Sequence, residues 1–298
     1  MNCPKCKYTK DLKIIIDNLK SDYNQGDPTL YQYIHCLGCN LVSIYPQPDL
    51  DKLNEEVYNE KYFYYPDLKW YQKIIYKLYL YKEYDRWIID DSNQKSSSKK
   101  ILDLGCGQGE FLDKMKNNNW QVYGMEINPF LVKKLKEKFS DSNIYILDQF
   151  LNDKISQKFD IITFWHVIEH LTTPLDTLLK AKNLLNKKGE LFIEVPNVDS
   201  FVFSLFKQKY TWLRIPDHVY YYSPKSLQKL LEESGYKNVK ITSPIKSNLN
   251  FSLNLYNAVS NKKMAKVLLV LSIPVSIIIS IIASLLFRGE IIRASCSK

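Results

Sequence analysis

The chain has 298 residues, 45% apolar and 13% aromatic, which is ample for a buried core and excludes an intrinsically disordered protein. Its 41 Lys and Arg against 32 Asp and Glu leave a net charge of +9. That surplus suits a polyanion, such as nucleic acid, an anionic membrane surface or a phosphorylated substrate, and equally follows from a lysine-rich composition.

Residues 1–45 carry two knuckles, Cys3-Pro4-Lys5-Cys6 and Cys36-Leu37-Gly38-Cys39. No apolar stretch follows Met1, so no secretory signal is expected, and paired CxxC knuckles then point to metal in a reducing compartment rather than to disulfides. Four thiolates satisfy tetrahedral zinc and leave no open position, so the expected ion is structural. His35 adjoins Cys36 but is surplus to that set, and Cys106 and Cys296 stand apart. Two short strands are expected between the knuckles, at 12–16 and 30–34. Tyr45-Pro46-Gln47-Pro48 can continue neither strand nor helix and reads as a linker. Residues 46–98 form a tyrosine-rich helical linker or lid in this reading, closed by a polar run at 91–100. Tyr62 and Tyr64 are candidates for the lid itself.

From residue 99 the pattern alternates. Strands are expected at 101–104, 121–125, 143–147, 159–165 and 190–195, with helices at 110–117, 129–139 and 175–185. This is the signature of a parallel sheet covered on both faces. A helix at 224–234 stops at Gly235 and leads to a strand at 239–242.

The first strand runs into Asp103-Leu104-Gly105-Cys106-Gly107-Gln108-Gly109. Glycines there let the backbone approach a ligand closely beside a helix N-terminus. The spacing is GxGxG rather than the dinucleotide GxGxxG, and Asp103 precedes it. An acid at that place suits the ammonium of S-adenosylmethionine (SAM) better than a pyrophosphate, which it would repel. Glu126 follows at the end of the second strand, where a carboxylate can accept from both ribose hydroxyls. Asp148 is expected at the end of the third, within reach of an adenine amino group.

The segments ILDLGCGQGEFL, VYGMEINP and FDIITFWHVIEHLTTPLDTLLKAKNLLNKKGELFIEVPN together resemble the core of class I SAM-dependent methyltransferases. The resemblance is nearest to the group of ubiquinone-biosynthesis O-methyltransferases and glycan-modifying enzymes, and it covers residues 99–243. It implies an α/β fold: a seven-stranded, doubly wound Rossmann-like sheet whose last strand is antiparallel. It also implies SAM across the ends of strands one to four of that sheet. Cofactor-binding candidates are Asp103, Gly105, Gly107, Gly109, Glu126 and Asp148.

Methyl transfer from a sulfonium is an in-line displacement, so the protein must position the acceptor and help remove its proton. His166, Glu169 and His170 follow the fourth strand, and His218 lies in Arg214-Ile215-Pro216-Asp217-His218-Val219-Tyr220-Tyr221-Tyr222. In enzymes of this resemblance the first stretch borders the transferred methyl. His170 is the first candidate for general base and His218 the second. Glu169 is the third catalytic candidate, and it and His170 could instead fix the following loop. His166 is assigned to packing or SAM contact. The three tyrosines line an acceptor or sit in the core. The order of ribbon, tyrosine-rich segment and methyltransferase core is similar to that of zinc-binding sugar C-methyltransferases, which raises sugar substrates.

Residues 267–287 are free of charge and long enough to cross a hydrocarbon core. Lys262, Lys263 and Lys266 precede them and Arg288 and Arg293 follow; serines recur at 272, 276, 280 and 284, a spacing that keeps small residues on one stripe. The tail 289–298 resembles the closing strand of the sheet. Pairing of that tail would put both ends of the apolar stretch on one side, so that it dips into the membrane, hinged at Pro274, or lies on it. A single anchor with a free tail and a buried helix are the alternatives.

The expected organisation is a zinc ribbon at 1–45, a helical linker at 46–98 and a methyltransferase domain at 99–298 with a membrane-associating insertion at 264–288. The expected function is methylation of a sugar, glycan or lipid-linked acceptor at the cytoplasmic face of the membrane, with O-methylation ahead of C-methylation. A prenyl-quinone-type lipid O-methyltransferase is one alternative. A non-catalytic zinc-ribbon protein binding nucleic acid is another, and the intact glycine loop speaks against it.

Overall fold

The computed structural model describes residues 3, 5–6, 12–24, 26–49, 53, 57, 87–88, 99–140, 143–245 and 250–298. Most of the expected helical linker, with Tyr62 and Tyr64, lies outside these residues.

Three strands build the N-terminal unit: β1 (Leu12–Leu19), β2 (Tyr31–Cys36) and β3 (Leu41–Tyr45). Sequence reasoning anticipated two. The third is buried along nearly its whole length, so it lacks the alternation that marks a half-exposed strand. The order in this sheet is β1-β2-β3-β9, where β9 (Tyr220–Tyr221) comes from the far end of the chain. The N-terminal unit is therefore woven into the remainder by a shared ladder, with Val42 opposite Tyr221 and Ser43 opposite Tyr220.

The second sheet has seven strands in the order β10-β11-β8-β7-β4-β5-β6. Its members are β4 (Lys100–Leu104), β5 (Gln121–Glu126), β6 (Ile144–Ile146), β7 (Phe159–Trp165), β8 (Leu185–Pro196), β10 (Lys237–Thr242) and β11 (Ile291–Ser297). The pairs β4–β5, β5–β6, β4–β7 and β7–β8 are parallel, and β11 runs antiparallel to both β8 and β10. The expected antiparallel last strand is thus present. Along β4 and β7, Ile101 and Ile161 face one side while Leu102 and Ile162 face the other, as a sheet covered on both faces requires. Helices α1 (Glu110–Asn117) and α2 (Pro129–Phe139) bury Leu112, Met115 and Leu135 against the first of these faces. Each such side chain contributes about 2 kcal/mol on removal from water.

Local chemistry sets the helix ends. Asn128 caps α2 by accepting from the amides of Phe130 and Leu131, with Pro129 in the first turn. Ser223 and Ser226 form a reciprocal capping box on α6 (Pro224–Glu233). Between them in the chain lie α3 (Leu147–Leu151), α4 (Pro174–Leu184) and α5 (Phe201–Phe206).

β6 is shorter than expected and ends at Ile146, so Asp148 stands on α3 rather than at a strand end. β6 is the outermost strand and pairs only with Gly124, Met125 and Glu126; beyond Ile146 no ladder remains to hold an extended backbone.

Between β10 and β11 the chain inserts α7 (Asn250–Ala258), α8 (Lys262–Leu271) and α9 (Ile273–Leu285). No single helix among the described residues is long and apolar enough to cross a membrane, but α8 and α9 together pass that test as a pair bent by 58°. The bend falls at Ser272, next to the expected hinge, Pro274. β10 is parallel to β8 and β11 is antiparallel to it. The insertion therefore leaves and re-enters the sheet at the edge where β4, β5 and β7 also end.

Candidate active site

β4 has β5 on one side and β7 on the other, all parallel. The chain winds outward in opposite senses from this point, and a crevice opens at the strands' carboxyl ends. The glycine loop lies there. Gly105, Gly107 and Gly109 adopt positive φ of 75°, 55° and 75°, a region costly for residues with a Cβ. At Gly105 a Cβ would also lie 2.5 Å from Val167 Cγ2. The loop is thereby held close to the turn after β7. Its tail turns directly into α1, whose first residue is Glu110.

Glu126 closes β5 beneath this loop. Its Oε2 accepts from the Gly107 amide at 2.8 Å, and Oε1 accepts from the amides of Ile127 and Asn128 at 2.8 and 3.0 Å. Burial raises its pKa against the pull of these amides. Asp103 is buried, with Oδ1 accepting from Thr163 Oγ1 on β7 at 2.7 Å. It braces β4 against β7 directly under the glycine loop. These residues fit an adenosyl cofactor: a cradle of positive-φ glycines stands beside a carboxylate at the end of the second parallel strand.

The turn after β7 carries a chain of alternating charge, buried at Glu169, Glu194 and Arg293 and part-exposed at His166. His166, at φ 55°, lies 3.3 Å from Glu169 Oε1 through Nδ1 and 3.2 Å from Glu194 Oε1 through Nε2. Glu194, on β8, also accepts from Arg293 Nε of β11 at 2.7 Å, and Arg293 lies over the ring of Trp87. Burial acts to lower the His166 pKa, but the two carboxylates outweigh it and the net shift is upward. Sequence reasoning missed Glu194 and Arg293. The segment IEVPN gives no sign that its acid meets a residue 99 positions away, because only the sheet order β11-β8-β7 aligns the three.

Glu169, His170 and His218 come together although 48 residues separate the last two. Each offers a ligating atom, and these lie within 4.8 Å of one another. The two imidazoles meet edge to face at 4.6 Å between centroids. His170 Nδ1 donates to the Asp217 carbonyl at 2.8 Å, and Asp217 Oδ2 accepts from Arg214 at 2.8 Å. Burial lowers the pKa of His170 and drives that of His218 further down, so both rings are neutral near pH 7. Glu169 is fully buried and its Oε2 has no hydrogen-bond partner. The Tyr220, Tyr221 and Tyr222 side chains are core: their hydroxyls donate to the carbonyls of Thr172, Leu213 and Ile168.

At the N-terminus Cys3, Cys6, Cys36 and Cys39 form one cluster. Sγ of Cys3 and Cys39 are 3.6 Å apart, and those of Cys6 and Cys36 are 3.5 Å apart. A disulfide needs about 2.05 Å, whereas the edge of a tetrahedron with zinc–sulfur bonds of about 2.3 Å is about 3.8 Å. The cluster fits a zinc ribbon. Burial raises the Cys3 and Cys39 thiols, which a coordinated cation would reverse. His35 Nε2 pairs with Asn40 Oδ1 at 2.8 Å, outside the sulfur set.

The family model described as "Methyltransferase domain" matches residues 76–241. A ubiquinone biosynthesis O-methyltransferase of Vibrio parahaemolyticus serotype O3:K6 is 23% identical over 168 residues, covering 53% of this chain and 72% of that protein. One from Glaesserella parasuis serovar 5 is 32% identical over 118 residues, 37% of this chain and 50% of its own. Among solved structures, a putative sarcosine dimethylglycine methyltransferase from Galdieria sulphuraria superposes with a TM-score of 0.50 at 16% identity, covering 72% of this chain and 85% of its own. The sheet order, the glycine cradle and the extent of the family match agree, and the chain belongs to the methyltransferase-domain family as a class I SAM-dependent methyltransferase.

Proposed function

We propose that this methyltransferase acts on a sugar, glycan or lipid-linked acceptor at the cytoplasmic face of the membrane, transferring to oxygen ahead of carbon. SAM supplies an already activated methyl group. The chain's own residues then hold it, exclude water and take the acceptor's proton. In this reading Gly105, Gly107, Gly109 and Glu126 hold the cofactor, with Asp103 bracing β4 against β7 beneath them and Asp148 on the adenine side. His170, held as the Nδ1–H tautomer by the Asp217 carbonyl, is the general base. His218 packs on it, and the buried Glu169 carboxylate beside them stabilises the imidazolium that forms when His170 takes the acceptor's proton. The four cysteines hold structural zinc.

The observation that carries the membrane reading is an insertion packed inside out. Ser272, Ser276 and Ser284 face the protein, where Ser272 meets Ser252 of α7 and Ser284 donates to the Pro244 carbonyl. The outer face presents Val267, Leu271, Ile278, Ile282 and Leu285 to solvent. A helix packed on a soluble core shows the opposite arrangement, and an exposed apolar face of this extent marks an interaction surface. Lys262, Lys263, Lys266 and Arg288 flank it, and no acid occurs from Ser234 to Gly289, which favours anionic lipid. Because the insertion shares an edge with the glycine loop, the bilayer and the acceptor side face the same way.

Flotation of the full chain with phosphatidylglycerol-containing and phosphatidylcholine-only vesicles tests the surface. Retention on the former, lost in a Leu271→Asp, Leu285→Asp double variant, is expected; failure to float with anionic vesicles refutes it. Incubation with labelled SAM and membrane extract tests the acceptor. Label in saccharide or lipid-linked saccharide fractions supports the proposal. Label confined to prenylated quinones favours the second reading, a lipid O-methyltransferase, to which the names of the Vibrio and Glaesserella relatives point.

A further inference from the structure

The segment from Trp212 to Tyr222 has two sides. One faces the catalytic turn. The Val219 amide donates to the Glu169 carbonyl at 2.9 Å, the Asp217 carbonyl receives His170 Nδ1, and the Tyr220 and Tyr222 hydroxyls reach the carbonyls of Thr172 and Ile168. The other side is held by the ribbon. Tyr33 Oη donates to the carbonyls of Leu213 and His218 at 3.0 and 3.2 Å, and its ring stands edge-on to Tyr221 at 4.8 Å. Asp22 pairs with Ile215 twice, amide to carbonyl at 2.8 Å and carboxylate from amide at 2.6 Å. The Ile44 amide donates to the Val219 carbonyl at 2.9 Å. Tyr23 Oη accepts from Arg214, the same guanidinium that holds Asp217.

Little of this order is intrinsic to the segment. Arg214 sits at φ 45°, which a residue with a Cβ adopts only when its surroundings impose it. β9 has two residues, and among the described strands it pairs with β3 alone. Tyr33 lies on β2, whose last residue is Cys36, so a metal held by the four cysteines would fix the strand that carries it; a three-stranded unit of this size draws its order from such a metal as well as from its larger neighbour.

We infer that the metal-organised ribbon is a positioning element for the catalytic turn, with Tyr33 the residue through which it fixes the Asp217–His218 segment and thereby the imidazoles of His170 and His218. The proposal rests on the assignment of His170 as base, but its effects are read without turnover. In Tyr33→Phe the ring contact remains and the two hydroxyl bonds are lost.

Amide hydrogen exchange on the zinc-loaded full chain, before and after chelation, gives the first measurement. Exchange at His218, Val219 and Tyr221 is expected to accelerate about tenfold or more, while Gly105 and Cys106, both bonded to the Met125 carbonyl, stay within about twofold. Equal acceleration at all five amides would mean general loosening and overturns the inference, as does no change at His218 and Val219. The second measurement is the ring-nitrogen spectrum of 15N-histidine-labelled Tyr33→Phe. Zinc content and SAM affinity are expected to match the parent while the His170 and His218 signals shift; unshifted signals overturn the inference. Should His170→Gln retain full methyl transfer, the base assignment fails on its own, because neither of these measurements depends on turnover.

Discussion

His170 Nδ1 lies 2.8 Å from the main-chain carbonyl oxygen of Asp217, a residue 47 positions further along the chain. A carbonyl oxygen only accepts, so the proton sits on Nδ1 and Nε2 keeps its lone pair. Burial also holds the ring below its ordinary value of 6.5. A neutral imidazole with a fixed tautomer is what proton abstraction from a hydroxyl near pH 7 requires. Replacing it by Gln should slow methyl transfer by about 10²–10⁴-fold with SAM affinity unchanged by calorimetry. The acid limb of the parent's pH–rate profile should fall below 6.5, since the base loses function only once the ring takes a second proton. A limb above 6.5, or a Gln variant of parental rate, would remove His170 from this role.

Gly105 is set by two independent constraints, its φ of 75° and the 2.5 Å approach of Val167 Cγ2 to the place of a Cβ. Gly105→Ala should cost about 1–2 kcal/mol from the backbone alone, with the contact in addition, and should abolish the rise in melting temperature that SAM gives the parent. Val167→Ala in the same chain removes the contact and leaves the backbone cost. The double variant should therefore regain part of the cofactor effect. Full recovery would mean that the φ constraint is unimportant, and no recovery that Val167 is not the obstacle.

Much of this site is written locally. Asp103, the glycines and Glu126 fall at their places because strand, tight loop and helix are contiguous, and the period of each element reads directly from residues 100–139. The four cysteines are legible for the same reason, since two residues between thiols fix a knuckle. His170 and His218 could be named from their surroundings, but nothing in the chain shows that their rings touch. That contact depends on β9 joining a sheet whose other strands lie some 180 residues earlier. Asp148 was misplaced by two residues because the end of a strand is set by where its partner stops, and β6 has one partner only. The serine stripe of α8 and α9 was visible as a spacing. Its direction, inward onto α7 with the isoleucines outside, comes only from packing.

Glu194 joins His166 at 3.2 Å to Arg293 at 2.7 Å across three neighbouring strands. Glu194→Gln leaves the nearly buried Arg293 charge without its carboxylate, a loss of the order of 3 kcal/mol or more. It also removes one of the two groups that raise the pKa of His166. The sign follows: a histidine whose folded pKa exceeds 6.5 adds stability below 6.5 and loses it as pH rises through the folded value. The difference in melting temperature between parent and Glu194→Gln should thus be larger at pH 6 than at pH 8.5. A difference independent of pH would assign the whole loss to Arg293.

Glu290 stands at the root of the apolar insertion, just ahead of β11, and its Oε2 accepts from Tyr210 Oη at 2.8 Å. Its amide neighbourhood is also shared, since its carbonyl receives the Asn197 amide. Burial lifts its carboxyl from 4.5 to about 7, with Tyr210 and Asn250 opposing. A raised folded value means that the native state favours the protonated acid. Stability therefore declines as pH climbs from 4.5 through 7, and at alkaline pH the accumulated penalty is about 3 kcal/mol, taking about 1.4 kcal/mol per tenfold change. Glu290→Gln keeps an acceptor for Tyr210 and cannot ionise. Its advantage over the parent in thermal unfolding should be small at pH 5 and grow by about 2 kcal/mol by pH 8, a divergence of several degrees for a chain of this size. Parallel melting curves across that range would show that Glu290 ionises in the folded protein as readily as in the unfolded one, and that the root of the insertion is open to water.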